Sequence, residues 1–250
     1  MGGVKLTGRT LAVAGAGVLA VAAAGTALAV GIPSPGPASP LSAAGHSSAA
    51  LEVVSGTALL SVSVANLGGA NGTLLRVATP HGGPRPQLRV AGAGATARSG
   101  ENELIVLSAS SGSGPVTVTL NAAVSWLLDF AGGTDRTTAN LRGGRVVGIT
   151  IGAGSSVVDL TLPRPDALVP VVLAGGASQF QVSLPSGVPV RVTAAGGAGE
   201  VRLDGTTYTG VAGGSVFASP GWSASAPGFD IDAASGAAQV SVTRWAADSN

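Results

Sequence analysis

Asp159-Leu160-Thr161-Leu162-Pro163 and Gln181-Val182-Ser183-Leu184-Pro185 are two versions of one strand ending. Both alternate polar and apolar residues, the period-two pattern of a β-strand that buries one face. The pattern recurs at Val118/Leu120, Leu160/Leu162, Val182/Leu184, Val201/Leu203 and Val240/Val242, with Ala139-Asn140-Leu141 filling a gap. The pairs are spaced by one or two multiples of a unit of about 20 residues. Gly-Gly-Ala also recurs, at 175–177 and 196–198. Imperfect, strand-rich, glycine-punctuated repeats predict an all-β, single-domain β-solenoid in which each coil stacks on the last. Regular strands alone would also suit a β-sandwich. The repeat is specific in its residues as well as its spacing, which favours the solenoid.

The surrounding chain fits this reading. Leu60 to Val64, Val116 to Leu120 and Val188 to Val192 alternate in the same way, and nothing beyond residue 50 has a capped helical period. Only 3% of residues are aromatic, so Val, Leu, Ile and Ala must build the core. One segment departs from simple coiling. Glu200 to Leu203 and Thr206 to Thr209 flank Asp204-Gly205, which predicts a hairpin with a two-residue turn.

Residues 1–30 read differently. Lys5 and Arg9 precede the uncharged apolar run Leu11 to Val30. A positive flank followed by such a run is the physical code for membrane insertion. The expectation is a transmembrane anchor that places the C-terminal domain outside the membrane in single-pass fashion. The alternative is a secreted chain, cleaved near Ala29, where Ala27-Leu28-Ala29 carries small residues at the spacing signal peptidase reads. Residues 31–49, with four prolines among Ser, Gly and Ala, read as a spacer. Residues 50–250 read as the extracytoplasmic repetitive domain.

The stretch Gly152 to Trp245 resembles the toast-rack type β-domains of bacterial, especially actinobacterial, envelope proteins. The resemblance rests on Ala174-Gly-Gly-Ala-Ser178, Leu184-Pro-Ser-Gly-Val-Pro-Val-Arg191, Gly197-Ala-Gly199, Leu203-Asp-Gly205, Ser219-Pro-Gly-Trp222, Phe229-Asp-Ile-Asp232 and Val240-Ser-Val-Thr-Arg-Trp245. It covers about two-fifths of the chain, and the region from Leu51 reads as earlier coils of the same domain. It implies a membrane-associated protein that senses or responds to envelope stress. It supplies no catalytic residues.

The chemistry-bearing residues are sparse. Charged residues make up 10% of the chain, the net charge is +1, and cysteine is absent. No basic face is expected to hold nucleic acid, and disulfides and thiolate metal sites are excluded. Gly15 to Ala20 fits the letter of a dinucleotide fingerprint but lies inside the apolar run and follows no strand. His46 falls in the spacer, and His81 in the turn-like Thr79 to Pro84. Two scattered histidines make neither a triad nor a metal site. The single lysine, Lys5, removes Ser-Lys catalysis. Asp230 and Asp232 lie two apart on one strand face, and Asp129 and Asp135 flank a Gly-Gly turn. Such pairs could serve a glycan hydrolase, but they fall short of the oxygens calcium needs. Asp204 reads as a turn residue. Trp126 reads as core, Trp245 as a candidate cap on an open end, and isolated tryptophans such as Trp222 as weak candidates for sugar stacking.

The expected function is therefore a non-enzymatic envelope scaffold that uses no cofactor and no metal. Its expected partners are the membrane, an envelope protein, a cell-wall polymer or another copy of itself. A carbohydrate-active β-helix (a glycan lyase or hydrolase) or a glycan-binding protein is the alternative.

Overall fold

The computed structural model describes residues 41–81, 83, 85–91, 104–109 and 114–246. Almost every regular element among them is a strand. The strands form two nine-stranded sheets. Sheet I runs, in spatial order, β16 (Ser215–Ala218), β13 (Val190–Ala194), β17 (Gly228–Asp232), β11 (Leu168–Leu173), β9 (Arg145–Ile151), β7 (Ser125–Phe130), β1 (Ser48–Val53), β5 (Leu104–Ala109) and β4 (Pro86–Ala91). Sheet II runs β15 (Thr206–Val211), β14 (Ala198–Leu203), β18 (Ala237–Trp245), β12 (Ala177–Pro185), β10 (Ser155–Thr161), β8 (Thr134–Asn140), β2 (Thr57–Ala65), β6 (Val116–Asn121) and β3 (Leu75–Ala78).

From β5 to β14 the chain visits the sheets alternately, so one strand from each makes a coil, and β1/β2 and β17/β18 are coils of the same kind. Neighbouring coils pair in parallel, as in β10 with β8 and β12. A parallel ladder whose strands alternate between two sheets defines a solenoid, and the antiparallel sheets of an ordinary sandwich do not pair this way. The alternation found in the sequence sets the register. In sheet I, Leu51, Leu128, Ile149, Val171, Ile231 and Val192 form one inward row. In sheet II, Val118, Val62, Ala139, Leu160, Val182, Val242 and Leu203 form another. All are buried, and they belong to one continuous core that also holds Trp126, Phe130, Phe180 and Phe229, so aromatics add to the aliphatic residues expected to build it. Trp126 lies wholly inside it and donates its indole N–H to the Asn121 carbonyl at 3.0 Å.

The coils do not stack in chain order throughout. From β7/β8 through β11/β12 each coil follows the last. Beyond β11/β12 the chain skips one slot, builds β13/β14, turns back through β15 and β16, and fills the skipped slot with β17/β18. At the other end, β5/β6 lies outside β1/β2, and β7/β8 lies on the inner side. The outermost strands, β3, β4, β15 and β16, run antiparallel to their neighbours. The hairpin expected at Asp204-Gly205 joins β14 to β15. Both residues have positive φ, 50° and 84°, the mark of a type I′ turn.

Trp245 does not cap the open end. It closes β18, which is an inner strand. The inward residues of the end strands are Tyr208, opposite Val201, and Phe217, opposite Val192. Their rings meet at 4.4 Å between centroids. Phe217 packs against the core and the exposed Tyr208 lies on Phe217, so the pair covers the end.

The expected spanning helix is corrected. Among the described residues the only helix is the 3-10 turn Gly69–Asn71, and none is long and apolar enough to cross a membrane. The run Leu11 to Val30 lies outside the described residues, as does the fingerprint-like Gly15 to Ala20. The transmembrane element of the fold, the single-pass placement and the membrane as a partner are therefore withdrawn. Described structure reaches back to Ser42, which bridges to Thr73.

Candidate functional site

Two edges line the solenoid where the chain turns between sheets, and they differ sharply. One is built from turns at Ser55-Gly56, Gly132-Gly133, Gly152 to Gly154, Gly175-Gly176, Gly196-Gly197, Gly213-Gly214 and Ser235-Gly236. These turns carry no charged side chain. Backbone packs on backbone here. A Cβ on Gly132 would lie 2.3 Å from the Ser55 carbonyl oxygen, and one on Gly175 would lie 2.2 Å from the Ala153 carbonyl carbon. Two shallow grooves run along this edge. One is lined by Gly56, Thr57, Gly133, Thr134, Asp135 and Gly154, and the other mainly by Gly176, Ala177 and residues 196–199.

The opposite edge gathers arginines. Arg142 lies in the turn after β8, Arg145 opens β9, Arg164 lies in the turn after β10, and Arg244 lies near the end of β18. The Arg142 guanidinium sits 4.1 Å from the centre of the Trp245 ring. Arg145 donates to the Ala123 carbonyl at 2.6 Å and Arg164 to the Ser186 carbonyl at 3.4 Å. Ser186 in turn donates its N–H and hydroxyl to the Trp245 carbonyl, both at 3.0 Å. Arg244 makes a two-pronged contact with Asp204, at 2.7 and 3.0 Å, and also donates to the Val188 carbonyl. Asp204 therefore does more than turn the chain. Asn121 anchors the same edge. Its side chain is buried, donates to the carbonyls of Gly69 and Thr73 at 2.8 and 2.9 Å, and accepts from the Ala123 N–H at 3.0 Å.

Four carboxylates, Glu52, Asp129, Asp230 and Asp232, lie on the outer face of sheet I. Glu52 stands in register with Asp129 on the adjacent strand. Burial raises the Asp129 carboxyl above its usual range, and burial followed by the Asp129 charge raises that of Glu52. Asp230 and Asp232 share one face of β17, as expected, but their surroundings separate them. Asp230 accepts both prongs of Arg191, with Nε at 2.8 Å and the terminal nitrogen at 2.5 Å. Hydrogen bonding to Asp230 is the main reason Arg191 holds its proton more tightly than usual. Asp232 is raised by burial first and by the Asp230 charge second. Arg191 also sits 4.3 Å from the centre of the Trp222 ring. Three charged groups thus gather near Trp222, but Arg191 already occupies both Asp230 and the indole ring.

Asp129 and Asp135 do not combine either. Asp129 faces out from sheet I, while Asp135 is exposed on β8 of sheet II. His81 is exposed in the turn between β3 and β4, and His46 lies ahead of β1. Among the described residues no group of three His, Cys, Asp or Glu side chains could hold a metal ion. Of the carboxylates, only Asp135 lines either of the two grooves, so among the described residues no acid pair is brought together there. The structure described is an all-β scaffold of two sheets.

Sequence reasoning missed the arginine edge because Arg142, Arg164 and Arg244 look scattered along the chain. Arg142 follows Leu141, and Arg164 follows Leu162-Pro163, so both fall just past the same repeat position. Aligning the repeats through their turns, and not only through their strands, would have brought them together.

No protein-family model matches the chain. No curated protein matches it in sequence either. The fold is similar to that of a solved structure described as a "putative cell adhesion protein" from Clostridium sporogenes ATCC 15579. The TM-score is 0.54, the identity is 15%, and the match covers 83% of this chain and 97% of that one. Likeness at this identity establishes a shared fold.

Proposed function

We propose that this protein is a cell-envelope surface module of the toast-rack type that works by contact, in adhesion or envelope sensing, through an envelope protein or a cell-wall polymer. The observation that carries the reading is the solenoid itself. One continuous hydrophobic core supports two broad outer faces and two dissimilar edges. A scaffold of this kind is suited to displaying a surface. The likeness to a protein described as adhesive supports it at the level of fold.

Purified full-length protein on beads, incubated with isolated bacterial cell envelopes, tests this reading. The expected result is saturable retention of envelope material, competed by free protein. Retention no greater than that of beads coated with an unrelated β-protein would overturn it.

A further inference from the structure

We infer that the arginine edge binds a linear envelope polymer carrying repeated phosphodiester charges. This rests on the contact reading above and names both the surface and the partner chemistry.

Three observations converge. First, Arg142, Arg145 and Arg164 make no ion pair with a described carboxylate, whereas Arg191, Arg202 and Arg244 each do. Their guanidinium groups hold their places through carbonyls and the Trp245 ring, which leaves other N–H donors free. A guanidinium presents five donors in a planar fork, and a phosphodiester offers one charge and two unesterified oxygens to match it.

Second, the groups are arranged as a line. Arg142 and Arg145 belong to the β8–β9 turn, Arg164 to the next turn along the stack, and Arg244 with Trp245 to a coil two slots further. Adjacent coils are separated by about 4.8 Å, so the turns that carry these residues span roughly 15 Å along the solenoid, and the Arg142 guanidinium reaches along that span to the Trp245 ring. The two grooves described above lie on the other edge. A single small anion would meet one solvated guanidinium and bind weakly. A polymer engages the row at once, and each contact raises the effective concentration of the next.

Third, the edge is poorly equipped for nucleic acid. Single-stranded DNA or RNA needs free aromatic faces on which bases stack. Trp245 and Trp222 each already carry a guanidinium against the ring. A polyol backbone makes no such demand. The edge carries two acids of its own, Asp204 held by Arg244 and the exposed Asp166 beside Arg164, against four arginines. The turns of the opposite edge have no charge, and the outer face of sheet I carries Glu52, Asp129 and Asp232. A polyanion would therefore settle on one edge only.

The test uses full-length protein and synthetic poly(glycerol phosphate) as the probe, with affinity followed by fluorescence anisotropy. The combined variant Arg142→Gln, Arg145→Gln, Arg164→Gln is expected to lose affinity by roughly ten-fold or more, and binding should weaken as salt rises. The matching Arg→Lys variant keeps the charge but loses the fork, and should fall between the two. Arg136→Gln, on the outer face of sheet II, should bind as the unmodified protein does. Far-ultraviolet circular dichroism and a melting curve confirm that each variant is folded; if the Gln variant is not, the Lys variant carries the comparison. Equal affinity of the unmodified protein and the folded variants overturns the proposal. So does equal or tighter binding to single-stranded DNA or to phosphatidylglycerol vesicles. If the unmodified protein retains envelopes and the triple variant does so equally well, the edge assignment fails while the contact reading stands. If no protein retains envelopes, the contact reading fails, and the polymer titration still judges the edge separately.

Discussion

The glycine edge and the arginine edge perform the same geometric task, turning the chain from one sheet to the other, with opposite materials. On the glycine edge the turns are short, uncharged and stacked backbone on backbone. On the arginine edge they are longer, and they carry side chains that reach across several coils. Tight stacking leaves no room for side chains, so the glycine edge is committed to structure. The arginine edge is held by a few hydrogen bonds to carbonyls, so its outward donors remain free for other work.

The sharpest way to break this contrast is to add one methyl group to the glycine edge. Gly175→Ala places a Cβ against the Ala153 backbone and should destabilise the protein by about 3 kcal/mol, measured by urea unfolding. A cost within experimental error would show that the coils can spread and that the edge is not tightly committed. Asn121→Ala tests whether the arginine edge has a structural anchor of its own. It removes the bonds to the part-buried carbonyls of Gly69 and Thr73 and leaves Gly69 only its bond from the Gly72 N–H, at a cost of about 2 kcal/mol.

A smaller effect separates both edges from the sheet I face. Glu52, Asp129 and Asp232 have raised carboxyl pKa values in the folded state, so folded protein takes up protons more readily than unfolded chain. Stability should therefore rise as pH falls from neutral through the raised pKa values. That gain is complete below the ordinary carboxylate range and is lost again as pH climbs. Asp129→Asn should flatten part of this dependence and raise stability at neutral pH, because Glu52 then faces no charge. Unfolding midpoints across a pH series decide the matter, and an unchanged slope would rule out this pair as its source. The smallest expected change is Arg142→Ala, which loses only the exposed stacking on Trp245, worth about 0.5–1 kcal/mol. A larger loss would move Arg142 from the free donors to the structural ones.

Much of the architecture was legible in the sequence. The alternation in Asp159–Pro163 and Gln181–Pro185 places Leu160 and Val182 directly opposite one another in the structure. Asp204-Gly205 announced its own turn, because only certain residues adopt positive φ cheaply. The stacking order was not legible. A repeat records what each coil looks like, and coils with the same inward pattern can exchange slots without changing it. Val182 therefore lies opposite Val242 and not next to Leu203, the coil that follows it in sequence. The aromatic pair over the end was missed for a related reason. Tyr208 and Phe217 belong to short strands whose role depends on being outermost, and outermost is a property of the order. Among the candidate sites, Asp230 and Asp232 were placed correctly on one face, but the partner that divides them, Arg191, is distant in sequence.

The skipped slot has a consequence in time. Strands β17 and β18 form the final pair in this sequence, yet they sit between coils that the chain has already made. Until they arrive, β11 and β12 on one side and β13 and β14 on the other present open edges. Assembly is therefore not a simple winding from the N-terminus; it waits for a keystone. β18 locks to β12 from Ala177 opposite Ala237 to Pro185 opposite Trp245, and to β14 on its other side. A chain shortened before Gly228 would keep most of its core residues and still hold a vacant berth the width of one coil. Such a berth invites a strand from a neighbouring molecule. Damage confined to the tail would thus turn a self-contained scaffold into an acceptor of other chains.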